Sequence, residues 1–344
     1  MDPDLINSEW LSAVLGADVV ITGDRRIGDG LVGMNMRYSL QVPEGSGLPT
    51  SLIAKLPSPD PTSRATGIAL RNYEREVKFY REVAPTVDIR VAHCYHSDWN
   101  PDDGDFVLVL EDLSPGEQGN QITGCSADHS RVAVLELARL HGPRWGDASL
   151  DEIEFLSRRG PDDAAGLQAL WGMFVPGFFA TYAKYLDAEG IALIERFGDR
   201  IPEWADGRTM PATVTHGDYR LDNLMFESAQ GGYPVAAVDW QTPGHGPASG
   251  DVSYFLGAGP PPEVRRDIER PLVGEYLAAL GGYGITVDEA EFWHQYCRDA
   301  YAGIIMAVVA SQIVGSSDRS EGMFAAMATR HTQHALDLGS EALI

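Results

Sequence analysis

From residue 34 the chain alternates Met34, Met36, Tyr38, Leu40 and Val42 with Asn35, Arg37, Ser39 and Gln41, the period of a strand that buries one face. A Gly/Pro-rich turn leads to SLIAKLP (51–57), a short apolar strand carrying Lys55. In ALRNYEREVKFYREVAP (69–85) the period changes, and Leu70, Tyr73, Val77 and Tyr80 predict a helix stopped by Pro85. DFVLVLEDL (105–113) reads as a buried strand ending in acidic residues. Beyond it the pattern is mainly helical, over RVAVLELARLHGPRW, GLQALWGMFVPGFFATYAKYL, 263–281 and 289–314. Pro176 is expected to kink or break its helix. These elements predict an α+β chain with a strand-rich N-terminal lobe (1–111) and a mainly helical C-terminal lobe (112–344), joined near residues 111–114.

Within the helical part, LMFES and YPVAAV are strand-like runs joined by AQGG, which reads as a hairpin. Pairing Leu224 with Val238 would set Asn223 opposite Asp239, two hard oxygen donors across one strand spacing.

Just before the first alternating run, Gly28, Gly30 and Gly33 form G-x-G-x-x-G. That spacing serves a dinucleotide-binding turn, which needs a helix to begin at the loop, or the phosphate-covering loop of a kinase, which joins two strands. The strand after Gly33 excludes the first. With 37 glycines in the chain, an ordinary hairpin turn stays open beside the second.

Composition narrows the function classes. The 344 residues are long enough for two lobes with their own cores. A net charge of -24 argues against a nucleic-acid partner, whose phosphates need a basic surface. Cys94, Cys125 and Cys297 are odd in number and form no C-x-x-C; with no signal-peptide pattern they predict a reducing, cytoplasmic setting. The most apolar stretch (300–315) is interrupted by Gly and Ser-Gln and short for a bilayer, so a buried helix and no membrane partner are expected. No obligate protein partner is evident.

The segment THGDYRLDNLMFESAQGGYPVAAVDWQ (215–241) carries the chemistry. His216-Gly217-Asp218 with Asn223 five residues after the Asp keeps the spacing of the H-R-D-x-x-x-x-N catalytic loop of kinases, where Asp accepts the hydroxyl proton and Asn holds magnesium. Asp239 would complete the metal pair, magnesium taking few protein oxygens and leaving the rest to phosphate and water. Singly, each of these residues is ordinary turn chemistry; the set beside a hairpin is not. Arg220 could neutralise the transferring phosphoryl group or simply pair with Asp222 or another acid. Lys55 is one of three lysines against 23 arginines; in a strand after the glycine loop it sits where a kinase lysine contacts the α/β phosphates, or it is an edge lysine. Glu74, Glu76 and Glu82 are all candidates for its partner.

Over residues 25–315 the chain resembles the aminoglycoside phosphotransferase and choline kinase superfamily, particularly its ecdysteroid-kinase-like and acyl-CoA-dehydrogenase-associated branches. The resemblance rests on HGDYRLDNLMF, VAAVDWQ, GDVSYFL, YEREVKFYREV, FVLVLEDL and ELARLHGPRW. It implies a two-lobed, protein-kinase-like fold. It makes Glu76 the partner of Lys55, Glu111 to Leu113 the hinge that meets adenine, and Asp251 a carboxylate bracing the catalytic loop. It leaves a phosphate-covering role for Gly28, Gly30 and Gly33 open. Gly217 in place of Arg, and Trp-Gln after Asp239 in place of Phe-Gly, point away from a kinase switched by phosphorylation.

The expected function is transfer of phosphate from ATP, or another nucleoside triphosphate, with Mg2+ to a hydroxyl of a small molecule, Asp218 acting as base. A catalytically dead kinase-like binding module is the alternative, although neither base nor metal ligand is missing. A metallohydrolase lacks H-E-x-x-H and any Cys/His cluster. The acceptor stays open between aminoglycoside-like or choline-like cations and sterol-like or acyl-linked alcohols. Trp171, Phe174, Phe178, Phe179 and Tyr182 could line its pocket or be plain core.

Overall fold

The computed structural model describes residues 2–28, 32–156, 161–207, 210–227 and 232–344. Helix α1 (Ser8–Leu15) precedes strands β1 (Val20–Ile27), β2 (Gly33–Gln41) and β3 (Ser51–Pro57). Helices α2 (Pro61–Ala69) and α3 (Asn72–Lys78) follow, then β4 (Cys94–Trp99) and β5 (Phe106–Glu111). The strands form one antiparallel sheet in the order β1-β2-β3-β5-β4. Alternation then sorts the side chains. Leu52, Ala54 and Leu56 join Met34, Met36, Tyr38, Val107 and Val109 in a core closed by Leu11 of α1. Lys55 therefore points to the opposite face, where Tyr73 and Val77 of α3 pack with Phe106 and Leu108.

The predicted single helix over 70–85 is three pieces: α3, a π-helical turn (Phe79–Val83) and a 3-10 turn (Ala84–Thr86). Phe79, Tyr80 and Val83 are all buried across these turns.

After β5 come β6 (Glu117–Gln118), α4 (Ala127–His141), α5 (Pro161–Tyr182), α6 (Ala188–Asp206), β7 (Ala212–Thr215), β8 (Leu224–Phe226), β9 (Val235–Ala237) and β10 (Gly244–Pro247). Helices α7 (Ser249–Ala258), α8 (Pro262–Leu280), α9 (Glu289–Asp299), α10 (Tyr301–Ile313) and α11 (Asp318–Asp337) complete the chain. Polar caps start several of these helices: the Ser126 hydroxyl accepts from the His129 N–H at α4, and Ser317 with Ser320 forms a capping box at α11. The apolar 300–315 stretch is indeed a buried helix, α10, and no helix among the described residues is long and apolar enough to cross a membrane.

Two local expectations are corrected. Pro176 does not break its helix: α5 runs through it, because Pro176 and Gly172, whose carbonyl loses its donor, are both exposed and water can serve that carbonyl. The β8–β9 register pairs Leu224 with Ala237, not Val238. Asn223 thus lies opposite Val238, and the Val238 N–H donates to the Asn223 carbonyl at 2.9 Å.

The largest core cluster runs without a break from the sheet to the β8–β9 hairpin, joining Val77, Phe79 and Leu108 to Leu224, Ala236 and Trp240. It holds the two candidate edges, Lys55 on β3 and the loops after β7 and β9, against each other.

Candidate active site

Lys55 is almost fully buried and touches two carboxylates: its Nζ lies 2.7 Å from Glu76 Oε2 and 2.7 Å from Asp239 Oδ1. Of the three candidate glutamates, Glu76 alone reaches it; Glu74, also buried, pairs with Arg71 and Lys78, and Glu82 is exposed. Burial opposes the Lys55 charge, but Asp239 and then Glu76 outweigh it and hold the ammonium above the ordinary lysine range. Burial pushes Glu76 up. Desolvation would raise Asp239 too, yet Lys55 holds it below the usual carboxylate range. Its side chain is 38% exposed, so it faces an open cleft.

Asp239 takes a left-handed backbone, φ 66°, which Asp tolerates better than most residues. The turn ends the β9 strand one residue earlier than the hairpin reading assumed and swings the carboxylate toward Lys55. Trp240 behind it is fully buried, stacked on Phe79 at 3.9 Å and tilted against His216 at 4.4 Å. The Trp-Gln pair thus has a physical role: Trp240 clamps the end of α3 to the catalytic loop, and the Gln241 Nε2 donates to Glu76 Oε2 at 3.4 Å.

The loop after β7 is built on Asp251, in the first turn of α7. Its Oδ2 accepts from the His216 N–H at 2.7 Å and its Oδ1 from the Gly217 N–H at 3.1 Å. His141 Nε2 lies 3.3 Å from Oδ2, and Tyr276 holds the other ring nitrogen at 2.7 Å. Burial would raise the Asp251 carboxyl, but His141 and the His216 N–H hold it below the usual range. Gly217 has φ 78°, and a Cβ there would lie 2.3 Å from the Thr242 carbonyl oxygen. The residue is glycine because nothing larger fits. Gly217→Ala is therefore expected to cost at least about 1–2 kcal/mol from the left-handed backbone alone, with the carbonyl clash added, read as a lower midpoint in urea unfolding at unchanged slope.

Asp218 projects from this loop with its side chain 19% exposed. Its Oδ2 accepts from Arg220 Nε at 3.0 Å and Asn223 Nδ2 at 2.9 Å; its Oδ1 accepts from the Tyr254 hydroxyl at 2.6 Å. Arg220 also bonds Asp222 at 2.8 Å, so both of its strong contacts are to acids within two residues. Asn223 Oδ1 and Asp239 Oδ2 accept nothing from the described residues. These two free hard oxygens suit a magnesium ion that takes its other ligands from phosphate and water. Among the described residues no three His, Cys, Asp or Glu side chains are grouped to hold a metal by themselves.

The remaining candidates lie around this centre. Gly33 opens β2, where an added Cβ would be 3.7 Å from Lys55 Cε and 3.8 Å from Gln241 Nε2. Gly28 directly follows the preceding strand with φ 67°, and Gly30 lies outside the described residues. At the junction, the Glu111 carboxylate is taken by Arg90 at 2.6 Å, and the Leu113 carbonyl accepts from the Tyr233 hydroxyl at 2.5 Å. The Leu113 N–H donates to nothing among the described residues, which leaves it for a planar ring acceptor. Trp171, Phe178 and Tyr182 are core residues packed on α6 and α10, while Phe174 and Phe179 are half-buried.

Sequence reasoning missed Tyr254 and His141. Both had a signal: Tyr254 stands three residues after Asp251, hence on the same helix face, and His141 ends the amphipathic helix that backs the loop.

A profile of the phosphotransferase enzyme family matches residues 49–293, more than two thirds of the chain. No curated protein matches it in sequence. Among solved structures it is similar to the macrolide 2'-phosphotransferase of Brachybacterium faecium (18% identity, 92% of this chain and 96% of that one, TM-score 0.52). It is also similar to an ethanolamine kinase of Plasmodium vivax (11%, 99% and 87%, 0.55). A third is the GDP complex of aminoglycoside 2'-phosphotransferase-IIIa (12%, 96% and 99%, 0.51). At these identities the likeness is one of fold.

Proposed function

Because the chain belongs to the phosphotransferase enzyme family and is a small-molecule kinase of that family, we propose that it moves the γ-phosphoryl group of ATP, with Mg2+, onto a hydroxyl of a small molecule. One observation carries this reading: a buried Lys55–Glu76 pair and two metal-accessible oxygens, on Asn223 and Asp239, converge on the cleft that Asp218 also faces.

In this reading Lys55 holds the nucleotide phosphates, kept in place by Glu76. The Leu113 N–H and the Glu111 backbone meet the base. Asn223 and Asp239 would hold magnesium, which when bound neutralises phosphate charge. The acceptor oxygen forms a bond to the γ-phosphorus as the bond to the ADP oxygen breaks, and Asp218 takes the hydroxyl proton. Arg220, already committed to Asp218 and Asp222, orients the base and does not reach for phosphate. The strand-rich region before residue 112 supplies the nucleotide side of this site and the helical region the acceptor side.

Asp239 would hold the metal beside the phosphates that Lys55 meets, so nucleotide and metal are expected to bind together. ATP is expected to raise the melting temperature more with magnesium than with a chelator; at a hundred times Kd the stabilisation is about 2.7 kcal/mol. Equal shifts in the two conditions would remove Asn223 and Asp239 from the metal site.

A further inference from the structure

An ionised carboxylate offers about four lone-pair sites, two on each oxygen. On Asp218 three are filled within the protein: Oδ2 by Arg220 and Asn223, and Oδ1 by Tyr254. One is left, on Oδ1 beside the Tyr254 hydroxyl. An acceptor hydroxyl that gives its proton to Asp218 has that one place to bind.

The geometry behind Tyr254 keeps it there. Its ring stacks on His331 of α11, centroids 5.3 Å apart and planes 19° from parallel. His331 is itself buried in a notch opened by two glycines: a Cβ at Gly257 of α7 would lie 2.6 Å from its Nδ1, and one at Gly303 of α10 would lie 2.1 Å from its ring. Neither ring nitrogen of His331 has a hydrogen-bond partner among the described residues. Burial, with His334 and Arg330 nearby, pushes its pKa well down, so the ring is a neutral plate. Burial and then Asp218 raise the Tyr254 hydroxyl well above its ordinary range, so it remains a donor.

We propose that Tyr254 is a positioning residue for phosphoryl transfer: held by His331, it fills one lone pair of Asp218 Oδ1 and so fixes the line on which the acceptor hydroxyl meets the base. This rests on the phosphotransfer reading above. Tyr254→Phe keeps the ring on His331 and removes only the donor, leaving the carboxylate free to turn and to bind the acceptor on the wrong line.

The test is steady-state hydrolysis of magnesium–ATP, with water as the acceptor, by the full chain and by Tyr254→Phe, together with the melting temperature of each. The expected result is a kcat lower by about tenfold, the usual worth of a charge-assisted hydrogen bond, at unchanged KM for magnesium–ATP and unchanged melting temperature. A wild-type kcat in the variant overturns the proposal. So does a fall in melting temperature with a matching rise in KM, which would make Tyr254 part of the scaffold. Wild-type protein that turns over ATP neither with water nor with any amino alcohol, aminoglycoside, sterol-like or acyl-linked alcohol overturns the phosphotransfer reading and this inference together, whereas a wild type that turns over ATP with an unaffected variant sinks the inference alone.

Discussion

Asp218→Asn is expected to lower turnover by about two to four orders of magnitude, the usual worth of a positioned proton acceptor, while leaving magnesium–ATP binding intact. The substitution suits the site. With its amide oxygen toward Arg220 and Asn223, Asn keeps the two donors that Asp218 Oδ2 accepts now, while its NH2 can only donate to the Tyr254 oxygen and no longer accepts from that hydroxyl. What disappears is the remaining lone pair and the negative charge that receives the proton. If Asp218 only completed a turn, Asn would serve as well, since both residues suit such positions. Turnover and nucleotide affinity measured on the same variant separate the cases, and near-normal turnover would remove Asp218 from the chemistry.

Asp239→Asn is the second large effect. Asn accepts the left-handed backbone at this position as Asp does, so the fold is expected to hold. Lys55 keeps Glu76 at 2.7 Å. Lost are the charge that would hold the metal and the second anionic contact of Lys55. Metal stabilisation of phosphoryl charge is worth several kcal/mol, so turnover is expected to fall by roughly two to three orders of magnitude, and the extra thermal stabilisation by ATP that magnesium provides is expected to vanish. An Asp239→Asn protein whose ATP-induced shift still depends on magnesium would move the metal elsewhere.

How far the chain could be read in advance follows from which interactions are local. The alternation from Met34 to Val42 and the apolar run around Lys55 marked β2 and β3, because a half-buried strand writes its period into neighbouring residues. The motif residues Asp218, Asn223 and Asp239 were legible for the same reason, all lying on one short loop and hairpin. The hairpin register was misread by one residue, because the positive φ at Asp239 that ends β9 leaves no mark an Asp would not carry anyway. Glu76 could be chosen over Glu74 and Glu82 by resemblance but not by spacing. At about 100° per residue both Glu74 and Glu76 flank the Tyr73–Val77 face, and the sheet decides which flank meets Lys55. Tyr254, His331 and the glycine notch that seats it come from three helices far apart in sequence, and no local pattern records their meeting.

The central claim is transfer, not binding, and label transfer tests it most directly. The protein, ATP carrying an isotopic label in its γ-phosphate, and magnesium are incubated with a panel of amino alcohols, aminoglycosides, sterol-like alcohols and acyl-linked alcohols, and the products are separated by mass spectrometry. The account predicts label on a hydroxyl of one acceptor class, abolished by a chelator and by Asp218→Asn. Saturable magnesium–ATP binding with no label moved to any acceptor or to water would contradict it and leave a kinase-like binding protein.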